Sequence, residues 1–271
     1  MALAAGCATA NAETSASAAA LACPGPGYEA TLKRALAQGS TLHASINIGN
    51  PVLARINRSS GKPEGVSVDM ATALARRLDL TLELVPVTSA SAAVNDVDSG
   101  KTDVGFFAID PSRRQSISFT SPYLLIEGAY AVRAGSPVSS LAQVDQPGVT
   151  VAVSKGSAYD LFLSRALHHA SIIRVAPSSA VFPAFIKQHL DVLAGIRPQL
   201  VEQAAQQGGA LRVLEPPFMV IRQAMGMSKR KGDEASACLA RFVDDMRSSG
   251  FVAKALVEHD VAGGSVAPSP Y

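Results

Sequence analysis

Residues 98–128 read DSGKTDVGFFAIDPSRRQSISFTSPYLLIEG, and the order of elements in this stretch decides the fold. Residues 104–109 are a short apolar run with little alternation, the pattern of a strand covered on both sheet faces. The run ends in a turn. Asp110 is suited to cap it, and Pro111 to occupy its first helical position. Arg113 follows at once, and six residues later the chain re-enters an apolar strand at Phe119. A guanidinium held by a short turn at the end of a core strand can grip a carboxylate with two parallel hydrogen bonds, reinforced by the free amides of the turn.

Working outward, residues 28–38 read as a helix, 42–48 as a strand, 69–79 as an amphipathic helix and 80–85 as a strand. A further helical stretch ends at Gly100. This alternation makes a parallel α/β unit. The pattern then restarts, with strands at 149–153, 172–175, 190–194 and 211–214. Helices are expected from Ser157 to about 169, over 179–188 with an interruption at Pro183, and over 198–207. A strand over 218–225 and a helix over 233–249 close the chain, with Cys238 on the helix's apolar face. The expected organisation is a lead (1–27), a discontinuous first lobe (28–130 plus 218–258), a second lobe (131–217) and a loose tail (259–271). Two crossings between α/β lobes make a hinge with a cleft, a place where small ligands are held.

The 271 residues carry 48% apolar and 17% charged side chains and a net charge of +2. That supports a substantial core and offers no basic stripe interleaved with aromatics, so nucleic acid is a poor partner. The five histidines form no HExxH motif, and no P-loop, GxSxG or GxGxxG is present, so no metal or cofactor is expected. Cys7 closes an LAAGC run that is similar to a bacterial lipoprotein cleavage site, without its basic and long apolar flanks. Cys238 reads as a small apolar core residue in preference to a disulfide with Cys23, which requires export.

Several blocks, taken in order, carry a family resemblance: GVSVDMATALARRL (65–78), SGKTDV (99–104), DPSR with FTSPY (within 110–123), AVRAGSP (131–137), GVTVAVSKGS (148–157) and LDVLAG (190–195). The chain resembles the extracytoplasmic solute-binding proteins of ABC importers, in the family that includes binders of polar amino acids (family 3). The resemblance implies the two-lobe, type II periplasmic-binding fold with two crossover strands at the hinge. It also implies a periplasmic or lipid-anchored monomer that works with an inner-membrane permease and is not an enzyme.

By position, the resemblance puts Arg113 on the ligand's carboxylate and Ala108 at a ligand-facing site that usually bears a hydroxyl. Ser157 falls at the second-lobe hydroxyl before a helix, and Asn50 and Val66 where aromatics are common. The acid that pairs with an amino group is replaced by Ile196. Two readings stand for Arg197, a second anion clamp or a solvent-facing cation. Glu127 is the nearest substitute acid, or else a salt-bridged hinge residue. Tyr159 either faces the cleft or packs. The implied ligand is a small anionic solute with a carboxylate. The alternatives are a dehydratase acting on a prephenate-like acid, which needs a general acid in the cleft, and a solute-sensing module.

Overall fold

A computed structural model describes Cys23 and residues 27–269. The first part of the chain runs α1 (Tyr28–Leu36), β1 (Thr41–Asn47), β2 (Arg55–Ile56), β3 (Pro63–Glu64), α2 (Val66–Arg77), β4 (Thr81–Val87), α3 (Ala90–Ser99), β5 (Val104–Ala108) and β6 (Ile117–Phe119). The middle runs β7 (Leu124–Arg133), β8 (Thr150–Ser154), α4 (Ala158–Ala166), β9 (Ser171–Val175), α5 (Val181–Lys187), β10 (Val192–Ile196), α6 (Arg197–Gln206) and β11 (Leu211–Val213). The chain returns in β12 (Met219–Ser228) and finishes with α7 (Asp233–Ser248), α8 (Phe251–Glu258) and β13 (Gly264–Val266).

Two long strands, β7 and β12, organise these elements. The main sheet runs in the order β4-β1-β5-β12-β7-β10-β8-β9. β4, β1 and β5 are mutually parallel, as are β10, β8 and β9, and both groups join antiparallel to the central pair. β7 changes partner partway along: Leu124–Gly128 pairs with β12, and from Gly128 onward it pairs with β10. Gly128 faces both Met219 and Ile196, so the last residue of β10 sits at the crossing. The core divides accordingly. One cluster gathers α1, α2, α7 and the inner faces of β1 and β5, and two others bury β8 and β10 against α4, α5 and α6.

The structure departs from the sequence reading in several places. α2 begins at Val66, three residues early, because Gly65 at φ 126° turns the chain directly into it. Pro183 does not interrupt α5; it lies in the first turn, where its missing N–H is not needed. β10 spans 192–196 instead of 190–194. Residues 259–271 are not a loose tail throughout: β13 pairs antiparallel with Leu124–Ile126, and Ala267 N–H donates to Tyr123 O at 3.1 Å. The outer edge of β7 offers backbone groups that need partners, and the returning chain supplies them. The lead, Cys7 included, lies outside the described residues except for Cys23 and Gly27.

Cys238 is not a free core thiol. It forms a disulfide with Cys23, with Cα atoms 4.8 Å apart. Sequence alone could not supply this, because the geometry depends on where the chain ahead of α1 meets α7. Nearby, Arg77 Nη1 donates to Tyr28 Oη at 2.7 Å and to Asp245 Oδ2 at 2.8 Å, tying α2 to α1 and α7.

Candidate functional site

β5 is buried along its whole length, and the turn after it is built by Asp110. Its Oδ1 accepts from Ser112 N at 2.9 Å and from Ser112 Oγ at 2.7 Å, so the side chain mimics a turn. A short 3-10 segment, Arg113–Gln115, follows. The Arg113 side chain folds back, with Nη1 donating to Ala108 O at 2.9 Å and Nη2 to Gly156 O across the cleft at 2.8 Å. The residue is 6% exposed. No ion pair to a carboxylate is formed by Arg113 among the described residues, since the neighbouring Asp110 is engaged by Arg165, Nη2 to Oδ2 at 2.7 Å. Burial lowers the Arg113 pKa to about 10, with Asp110 opposing the shift, so the guanidinium stays charged at neutral pH.

The opposite wall is the β8–α4 turn. Ser157 caps α4 by accepting from Asp160 N at 3.1 Å, and Gly156 N donates to Asp160 Oδ2 at 2.8 Å. Gly156 is required on two counts. Its φ is +70°, and a Cβ there would lie 2.7 Å from the Cβ of Ser91, on α3 of the facing half. Arg174 Nε holds Asp160 Oδ1 at 2.9 Å and fixes the turn from behind. The N-terminus of α4, with its partial positive charge, therefore faces the same space as Arg113.

Between these walls lies a cavity of ≈ 50 Å³. Asn50, Ala108, Arg113, Ser157 and Tyr159, all picked from sequence, line it together, and so does Ile196. Asn50 also keeps its turn role, its Oδ1 accepting from Val52 N at 3.1 Å. Burial raises the Tyr159 hydroxyl pKa, against bonding with Ser157 and Ser154.

Three other picks lie elsewhere. Val66 is fully buried in the core, on one stripe with Met70 and Leu74 at helical spacing. Glu127 and Arg197 meet each other at 3.7 Å on the hinge surface, beside a separate groove. Arg197 also pairs with Glu215, which raises its pKa. Arg197 is thus a partly exposed hinge cation, and Glu127 is its salt-bridge partner.

Gln223, Asn47, Ser154 and Gln199 line the cavity and were not singled out from sequence. Gln223 carried a signal. On β12 it shares a face with Ile221 and Met225, both buried, and a lone amide among buried apolar residues at period two marks an interior polar site. Among the lining residues Arg113 is the sole formal charge, and none is Asp, Glu or His.

The Asp110–Arg165 pair bridges the two walls, Asp110 after β5 and Arg165 on α4, and is expected to latch them together. Burial tends to raise the Asp110 pKa, but bonds from Arg165 and Ser112 outweigh it and hold it below the ordinary carboxylate value. The latch is therefore intact at neutral pH and is lost only as pH falls through that lowered pKa, beneath the ordinary carboxylate range. With Arg165 half exposed, its contribution is up to about 1 kcal/mol. Asp110→Asn keeps the acceptor for Ser112 and removes the charge. It should shift the open–closed ratio roughly two- to five-fold, seen as a larger radius of gyration in small-angle scattering. An unchanged radius counts against the latch.

Residues 49–259 match the model of the bacterial extracellular solute-binding proteins, family 3. A glutamine-binding protein of Geobacillus stearothermophilus is 24% identical over 178 residues, which is 64% of this chain and 67% of that protein. A cyclohexadienyl dehydratase of Pseudomonas aeruginosa is 28% identical over 170 residues, 61% of this chain and 62% of the enzyme. Among solved structures, a solute receptor for L-cysteine of Neisseria gonorrhoeae superposes with a TM-score of 0.72 at 20% identity, covering 87% of this chain and 94% of the receptor.

Proposed function

The chain belongs to the bacterial extracellular solute-binding proteins of family 3, and from that premise we propose that it is the solute-binding component of an ABC importer, closing on a small carboxylate-bearing solute. One observation carries the reading. A buried guanidinium without an acidic partner among the described residues stands in the cleft between the two halves, opposite a helix N-terminus. A buried cation is costly unless paired, and a carboxylate entering the cavity supplies the pair. Such a solute touches both walls and so favours the closed state. Ser157 and the first amides of α4 bind the carboxylate from one side, Arg113 from the other, and Asn50, Ala108 and Tyr159 shape the pocket.

The similarity to a dehydratase raises a second reading, an enzyme on the same scaffold. That chemistry needs a proton donor beside the leaving hydroxyl. The lining offers no carboxyl or imidazole, and Tyr159, with its pKa raised, is a weak acid. The binding role is therefore favoured.

A thermal-shift screen of the purified protein tests the reading, with sets of small carboxylates, their amides and matching amines. Carboxylates at 100 times their Kd should stabilise by about 2.7 kcal/mol, and the amides and amines should do nothing. Stabilisation by the neutral or cationic sets alone would refute it.

A further inference from the structure

We infer that the solute is a small 2-hydroxy monocarboxylate and that Gln223 reads its hydroxyl, an inference that rests on the carboxylate reading above. Three independent features of the cleft lead there. The first is charge. Arg113 is the sole formal charge in the lining. A monocarboxylate brings the closed cavity to neutrality. A zwitterionic amino acid leaves one buried positive charge over, and a dicarboxylate leaves one negative, each without a partner. At the position where an acid would meet an amino group stands Ile196, 5% exposed, which gives an apolar wall.

The second is an unmet hydrogen bond. Gln223 is 4% exposed, lines the cavity, and its Oε1 has no hydrogen-bond partner among the described residues. Gln223 lies directly across the sheet from Ala108, whose carbonyl holds Arg113 Nη1. The amide and the guanidinium thus line the same cavity. An acceptor left unpaired in the interior is unfavourable, and rotation of the amide about its last torsion, which brings Oε1 round to the cavity, lets a hydroxyl satisfy it without adding charge. The amide Nε2 can donate to the same oxygen, so both halves of the amide suit a hydroxyl.

The third is size. At about 10–15 Å³ for each water-sized volume, a cavity of ≈ 50 Å³ takes a solute of roughly three to five non-hydrogen atoms. The smallest 2-hydroxy acids lie at the upper end of that scale. Phe106, Ile221 and Leu53 give the cavity apolar surface.

Isothermal titration of the full chain with glycolate, both lactate enantiomers, propionate, L-alanine and malonate tests this. A hydroxy acid should bind at least about ten-fold tighter than propionate and at least about 100-fold tighter than alanine or malonate. Gln223→Leu should reduce hydroxy-acid affinity to that of propionate and leave propionate unchanged. Ile196→Asp, which supplies a partner for an amino group, should reverse the order of lactate and alanine. Should Gln223→Leu fold poorly, the wild-type ranking and Ile196→Asp still decide the matter. Equal binding of lactate and propionate, or alanine above lactate, overturns the hydroxy-acid assignment while leaving the carboxylate reading intact. No binding by any carboxylate overturns both.

Discussion

Arg113→Met is expected to abolish solute binding while leaving the empty protein as stable as before. The two effects separate because of where the guanidinium sits. It is a buried cation whose side-chain hydrogen bonds, among the described residues, go to two backbone carbonyls, Ala108 O and Gly156 O. Burial already works against its charge, as the lowered pKa of about 10 records. Replacing it with an apolar side chain of similar length removes that desolvation cost and two hydrogen bonds together, and these terms largely cancel. In the complex the balance differs, since a carboxylate enters the cavity and then has no counter-charge among its lining residues. Truncating one partner of a buried charge pair costs about 2–5 kcal/mol, or roughly 30- to several thousand-fold in Kd. Calorimetric titration with the strongest carboxylate of the screen, alongside thermal melting of the empty protein, measures both. Arg113→Lys should fall in between, because an ammonium cannot offer the planar fork. Affinity within three-fold of wild type for the methionine variant would remove Arg113 from the site.

How far the sequence disclosed this arrangement depends on how local each signal was. The β5–turn–arginine unit was legible because it is continuous in the chain. A covered strand, an Asp-Pro turn and an arginine leave few ways to fold; the strand and the Asp110 turn occur as read, but the first helical residue is Arg113, with Pro111 in the turn ahead of it. Ser157 was legible for the same reason, as a serine ahead of a helix. Val66 was placed by the resemblance, at a position where aromatics are common. In the structure α2 starts at Val66, so the side chain joins the Met70–Leu74 stripe and is buried in the core. Glu127 and Arg197 lie 70 positions apart and meet only because β7 and the β10–α6 junction cross at Gly128. That contact belongs to the topology, so neither residue alone could be assigned between cleft and hinge. The two-crossing architecture itself was visible in the restart of the strand–helix pattern. The pairing of β13 with β7 was not, since Gly-Ser-Val in a Gly- and Pro-rich end looks like tail until an open strand edge is beside it.

Breaking the Cys23–Cys238 bond should destabilise the protein by about 2–4 kcal/mol without changing its affinity for solute. The bond closes a loop between residues 215 positions apart. In the chain-entropy account, a cross-link of that span restricts the unfolded ensemble by about 5 kcal/mol, an upper value because unfolded chains keep some structure. Cys23→Ser is the better variant. It breaks the bond while leaving Cys238, which is fully buried on α7, as a small apolar side chain in the core. What remains holding α1 to α7 is Leu32 and Leu36 in the core and the Tyr28–Arg77–Asp245 bonds. Those suffice for the fold but not for its full stability. For a protein of this size the loss corresponds to a fall in Tm of roughly 5–15 °C, and reducing the wild type should reproduce it. Affinity should hold, because neither cysteine lines the cavity and the α1–α7 seam contributes no residue to it. Equal melting of oxidised wild type and Cys23→Ser would mean that the bond adds no stability. A weakened Kd in that variant would mean that the seam and the cleft are coupled, so that closure draws on the helices behind the first half of the sheet as well as on the hinge.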